Sequence, residues 1–109
     1  MVCRVEPALK LAVARTRRER MRGLRARESI SPGEALLIPR CRSVHTIGMR
    51  FPIKVAWLDK QGRVLEVRIV RPGRITLPRL RARHVLETHP AVRLNPGERP
   101  AEGAARAPR

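Results

Sequence analysis

The sequence predicts an α+β domain of mainly β character: a curled antiparallel or mixed sheet, or a small barrel of short strands, with one short helix near the N-terminus. Three observations predict it. Aliphatic side chains alternate with others over several short stretches, Gly, Pro and Asp turn signals recur at close intervals, and a capping box marks one helix start. A chain of 109 residues is enough for one core and too short for two. Phe51 and Trp57 are the only aromatic residues, so Leu, Ile, Val and Ala must fill that core.

Leu9, Leu11 and Val13 alternate with Lys10, Ala12 and Ala14, the period of a half-buried strand. In Thr16-Arg17-Arg18-Glu19 the hydroxyl and the glutamate can cap each other's backbone amides, which starts a helix running to about Arg22. Met21 and Leu24 would form its inner face and Gly23 its end. After the turn Ser31-Pro32-Gly33, the run from Ala35 to Ile38 reads as a buried strand closed by Pro39. Residues 41–50 read as extended, with bends at Gly48 and at Phe51-Pro52. The clearest pair of strands runs from Ile53 to Leu58 and from Arg63 to Val70, joined by Asp59-Lys60-Gln61-Gly62 as a hairpin. Ile53, Val55 and Trp57 are expected on one face of the first strand, and Leu65, Val67 and Ile69 on one face of the second. Ile75 to Leu77 and His84 to Glu87 offer two further short strands. The folded domain is expected over 1–97, with 98–109 a flexible tail lacking periodic apolar residues.

The formal charge of +16 is the largest compositional outlier and points to an anionic partner: a nucleic acid backbone, an acidic protein or an anionic lipid surface. Of the 25 basic residues only Lys10, Lys54 and Lys60 are lysine, a skew that a GC-rich coding sequence also explains. No stretch reaches the ~18–20 apolar residues of a membrane helix, and no apolar run follows a basic start, so a cytoplasmic location is expected. Cys3 and Cys41 match no compact metal or redox spacing, and both are expected as thiols in a reducing compartment.

Several blocks recur in a characteristic order: the helix segment 16–24, the core Gly33-Glu34-Ala35-Leu36-Leu37-Ile38-Pro39, and Ser43 to Ile53. They continue with the hairpin from Trp57 to Val64 and with Ala82-Arg83-His84-Val85-Leu86-Glu87. In order and spacing these blocks together resemble the prokaryotic family known as domain of unknown function 192. The resemblance covers about residues 8–98 and implies a mostly β fold with an early helix; it implies no activity. This chain departs from the family at Lys54, where an aspartate is frequent, in a shortened segment after Glu87, and at Gly97-Glu98 in place of Gly-Asp.

Cys41, His45 and Met49 recur every four residues and supply ligand types that suit a soft metal. In an extended chain, however, four residues span about 13 Å, which no single ion bridges. No metal or cofactor is therefore assigned. Arg40 and Arg42 favour a thiolate at Cys41, which a nearby histidine could activate. Glu87 follows Val85-Leu86 and is expected to ion-pair with Arg50 or Arg83 rather than act as a catalytic acid, and Asp59 is expected to cap its own turn. Cys41, His45, Met49, Arg50 and Glu87 are the ligand-binding candidates, and no catalytic residue is assigned. Arg18, Arg22 and Arg25 form one stripe of like charge on the expected helix and are the first anion-binding candidates. Arg68, Arg71, Arg74, Arg79, Arg81 and Arg83 form a second cluster. The reading that follows is a small non-enzymatic basic module that binds an anionic partner. The alternatives are a thiol- or metal-dependent protein using Cys41 with a histidine, and a structural component of a larger assembly.

Overall fold

A computed structural model describes residues 10–14, 24 and 27–100. Among the described residues five strands follow one another as β1 (Lys10–Val13), β2 (Glu34–Pro39), β3 (Ile53–Leu58), β4 (Val64–Val70) and β5 (His84–Thr88). They form one mixed sheet in the order β1-β2-β5-β3-β4. Only β1 and β2 run parallel; the other neighbours are antiparallel. The sheet is open, because β1 and β4 stand at its two outer positions and do not pair with each other, so the small barrel is not formed. The helix expected from Thr16 to about Arg22 lies outside the described residues, and no helix lies among those described between Lys10 and Arg99.

Closure is unnecessary because both faces of the sheet are covered. Leu36, Ile38, Ile53, Val55, Trp57 and Val85 look into one apolar cluster, which Leu24, Ile30, Val44, Met49 and Ala82 complete. Ala35, Leu37, Ala56, Leu58, Val64 and Leu86 look into the other, closed by Val92 and Leu94. Fully burying an aliphatic side chain of this size contributes about 1.5–3 kcal/mol. The last strand in sequence, β5, therefore occupies the middle of the sheet, and its Val85 and Leu86 serve opposite clusters.

The predicted hairpin forms as expected. Asp59 Oδ1 accepts the amides of Gln61 and Arg63, both at 2.9 Å, and Gly62 takes the positive φ of 82° that the turn requires. The face expected for Ile53, Val55 and Trp57 also forms, whereas β4 departs from simple alternation. Leu58 pairs with Val64 but Trp57 pairs with Glu66, so Leu65 is an extra residue, a β-bulge. Leu65 packs on the Trp57 side while Val67 packs on the other, and Ile69 is exposed. The short strand expected at Ile75 to Leu77 is reduced to one bridge between His45 and Ile75. Glu98 is tied to the fold: its carbonyl accepts the Val64 amide at 2.8 Å.

Candidate functional site

The bulge decides where the arginine-lined surface lies. By setting Glu66 opposite Trp57, it puts a carboxylate on the Trp57 face of the outermost strand. Arg79 meets it as a fork, donating from Nε to Oε1 and from Nη2 to Oε2, both at 2.9 Å. The same guanidinium lies 4.3 Å from the centre of the Trp57 ring, a cation–π contact on a ring otherwise enclosed by core. Arg68 donates to the same carboxylate at 2.9 Å. The Arg79 and Arg68 bonds together hold the Glu66 carboxyl down at about 2, and Glu66 in turn raises the Arg79 pKa.

Two threonines fix the loop that carries the remaining arginines. Thr46 is fully buried; its Oγ1 donates to the Arg71 carbonyl at 2.5 Å and accepts the Arg74 amide at 2.9 Å. Its backbone amide donates to the Arg74 carbonyl at 2.8 Å, and its carbonyl accepts the Gly73 amide at 2.9 Å. Thr76 repeats the device one step further on: its Oγ1 accepts the Val44 amide at 2.9 Å and donates to the Val44 carbonyl at 3.1 Å. Each such bond is worth about 1 kcal/mol net, and leaving a buried member unmade costs more. Segment 41–50 thus clamps segment 71–76.

An open cavity of about 450 Å³ results, lined chiefly by Arg68, Arg71, Arg74, Ile75, Leu77 and Arg79. Arg68 and Arg79 are committed to Glu66, while the exposed side chains of Arg71 and Arg74 make no ion pair with any described residue. Ile75 and Leu77 are 74% and 78% exposed, so the arginines stand among apolar side chains rather than in a wholly polar field. Four of the six arginines in the second sequence cluster meet here; Arg81 and Arg83 lie on the return toward β5. Arg18, Arg22 and Arg25 lie outside the described residues.

The five ligand-binding candidates take different environments. Met49 is buried in the Trp57-side cluster and Cys41 packs partly against it. The Cys41 sulfur donates to the Ser43 carbonyl at 2.9 Å. His45 is exposed and bridges to Ile75, and exposed Arg50 lies 3.6 Å from Glu28. Glu87 is the surprise. Its register partners are Leu36 and Val55, so it points into the Trp57-side core rather than toward Arg50 or Arg83, and the expected ion pair is not made. Its Oε1 has no hydrogen-bond partner, and burial pushes its carboxyl up to about 7. Among the described residues no three His, Cys, Asp or Glu side chains are grouped to hold a metal ion. On the opposite face Lys54 donates to the Val92 carbonyl, and burial followed by the nearby Arg93 charge lowers its pKa.

Sequence reasoning missed Glu66, Thr46 and Thr76. Glu66 carried one available signal: it is the acid nearest in sequence to the second arginine cluster, two positions before Arg68. The threonines carried none, since their side-chain partners lie 25 to 32 positions away.

Fold and site together define a small, mainly β domain whose open sheet carries an arginine-lined outer edge. The chain belongs to the family described as an uncharacterized ACR, domain of unknown function 192, whose model matches residues 2–94. Among solved structures it is similar to a candidate transcription regulator from Sinorhizobium meliloti, with a TM-score of 0.73 and 19% identity, covering 84% of this chain and 79% of that one. It is also similar to a protein of unknown function from Novosphingobium aromaticivorans, with a TM-score of 0.70 and 18% identity over 84% of this chain and 73% of that one. At such identities the likeness shows a shared fold. No curated protein matches the chain. No helix among the described residues is long and apolar enough to cross a membrane.

Proposed function

We propose that this chain is a non-enzymatic binding module whose arginine-lined edge takes an anionic partner. The observation that carries the reading is the pair Arg71 and Arg74, held by the Thr46 network beside an open cavity and without an acidic partner among the described residues. A loop ordered before binding gives up little further entropy when it binds, and guanidinium forks suit carboxylate and phosphate alike. The description of the Sinorhizobium meliloti neighbour as a candidate transcription regulator makes a nucleic acid one partner worth including. A thiol reaction is less well supported, because the Cys41 sulfur is engaged as a donor.

The test is a titration of the full chain with duplex DNA, anionic vesicles and an acidic peptide at about 50 mM and about 200 mM salt. At least one should bind with marked salt dependence. The double substitution Arg71→Ala with Arg74→Ala should weaken that binding roughly tenfold and lower the salt slope by about two. Absence of binding to all three, or binding that neither salt nor the double substitution changes, overturns the reading.

A further inference from the structure

The outer side of β4 is taken at one end and open at the other. At Val64 the amide donates to the Glu98 carbonyl, and the Val64 carbonyl accepts the Gly97 amide, both at 2.8 Å. Beyond the bulge, parity tells which backbone groups face out. The Leu58 carbonyl accepts from Arg83, next to β5, so Leu58 turns its backbone groups toward β5 and Ile53, Val55 and Trp57 turn theirs toward β4. Their partners Val70, Arg68 and Glu66 face inward, which leaves Val67 and Ile69 presenting N–H and C=O away from the sheet. Neither residue makes a backbone hydrogen bond to a described residue outside the sheet. Two such residues at i and i+2 are the repeat that an added strand engages.

The surroundings select what that strand would be. On the Trp57 face the open stretch is flanked by Arg68 and by the cavity with Arg71, Arg74 and Arg79; on the other face Val67 is half-buried and Ile69 is 54% exposed. We propose that the β4 edge from Val67 to Val70 accepts an extended acidic segment of a partner protein as a sixth strand. Its main chain pairs with Val67 and Ile69. Its carboxylates, at every second position, face Arg68, Arg71 and Arg74, and its intervening apolar side chains lie on Val67 and Ile69. A nucleic acid or a lipid offers no matching row of amides and carbonyls. A second copy of this chain would set Arg68 near Arg68 in a molecule of charge +16. The proposal rests on the anion-binding reading and narrows its partner to one class.

The probes are a short peptide alternating glutamate and valine, the same peptide N-methylated at every second residue, and oligoglutamate, each added to the full chain. The alternating peptide should bind roughly tenfold more tightly than its N-methylated form, the value of one or two backbone hydrogen bonds. Its binding should slow hydrogen exchange at the Val67 and Ile69 amides. Ile69→Pro, which removes an outward donor at an edge position that tolerates proline, should weaken the alternating peptide by a similar factor. Equal binding of the two peptides, binding without protection at Val67 and Ile69, or no peptide binding at all overturns the added strand. Salt-dependent binding of DNA, vesicles or oligoglutamate in those cases would still leave the broader anion-binding reading standing.

Discussion

Glu66 and Glu87 sit on the same face of the same sheet, opposite Trp57 and Val55 respectively, and their carboxyls are driven in opposite directions. Glu66 is on the outermost strand, where Arg79 and Arg68 reach it and hold it at about 2. Glu87 is on the central strand, where only side chains of the core can reach it, and burial raises it to about 7. The difference lies in position in the sheet, not in residue type. An edge carboxylate can recruit long cations from a loop, while a central one meets what the neighbouring strands present, here Leu36 and Val55.

The comparison predicts opposite pH limbs of stability. Glu87 has a folded pKa of about 7, above the ordinary 4.5, so the unfolded chain releases its proton first as pH rises. Stability is therefore full below about 4.5, falls from there to about 7, and stays lower above it. The rise in pKa corresponds to about 3 kcal/mol. Glu87→Gln should thus stabilise the protein by up to about 3 kcal/mol at pH 8, and should flatten the limb between about 4.5 and 7. Urea unfolding at pH 4.5 and pH 8 measures both. An unchanged slope would mean that water or a cation already meets the Glu87 carboxylate.

Glu66 gives the reverse limb. Its folded pKa of about 2 lies below the ordinary 4.5, so its contribution is present above about 4.5 and is lost as pH falls toward 2. Glu34, held at about 2 first by its bond from Arg27, adds a limb of the same sign. Because Glu66 is more than a third exposed, solvent screening keeps the effect of Glu66→Gln to about 1 kcal/mol at pH 7, and it should vanish below pH 2. For these three carboxyls stability peaks near pH 4.5, and acid unfolding of the single and double variants would show whether the limbs separate.

The sequence made some of this legible. Asp59 to Gly62 announces its hairpin because every determinant is local: the Asp that accepts the turn amides, the Gly with positive φ, and alternation on both sides. The placement of β5 at the sheet centre is a long-range outcome. Val85 and Leu86 read as a short strand wherever they pair, so the burial of Glu87 beside them could not be told from an exposed ion pair. The bulge at Leu65 was equally hidden, since alternation alone predicts Leu65, Val67 and Ile69 on one face. The arginine cluster from Arg68 to Arg79 was visible as charge; its gathering around one cavity depends on Thr46 and Thr76 bonding to segments far along the chain.

The smallest expected effect separates charge from shape at the Glu66 end of the comparison. Arg79 supplies a positive charge, a two-pronged hydrogen bond to Glu66, a planar group over Trp57 and a donor to the Leu77 carbonyl at 2.6 Å. Lysine keeps the charge and, as a point donor, cannot reproduce the fork or the flat stacking. Arg79→Lys should therefore cost about 0.5–1 kcal/mol. It should also let the Glu66 carboxyl rise from about 2 toward its ordinary value, because the hydrogen bond from Arg79 is the largest cause of its depression. A side-chain NMR titration of Glu66 reads this directly. If the titration does not move, long-range charge rather than the guanidinium fork holds Glu66 down, and the edge then differs from the centre only in how many cations surround it.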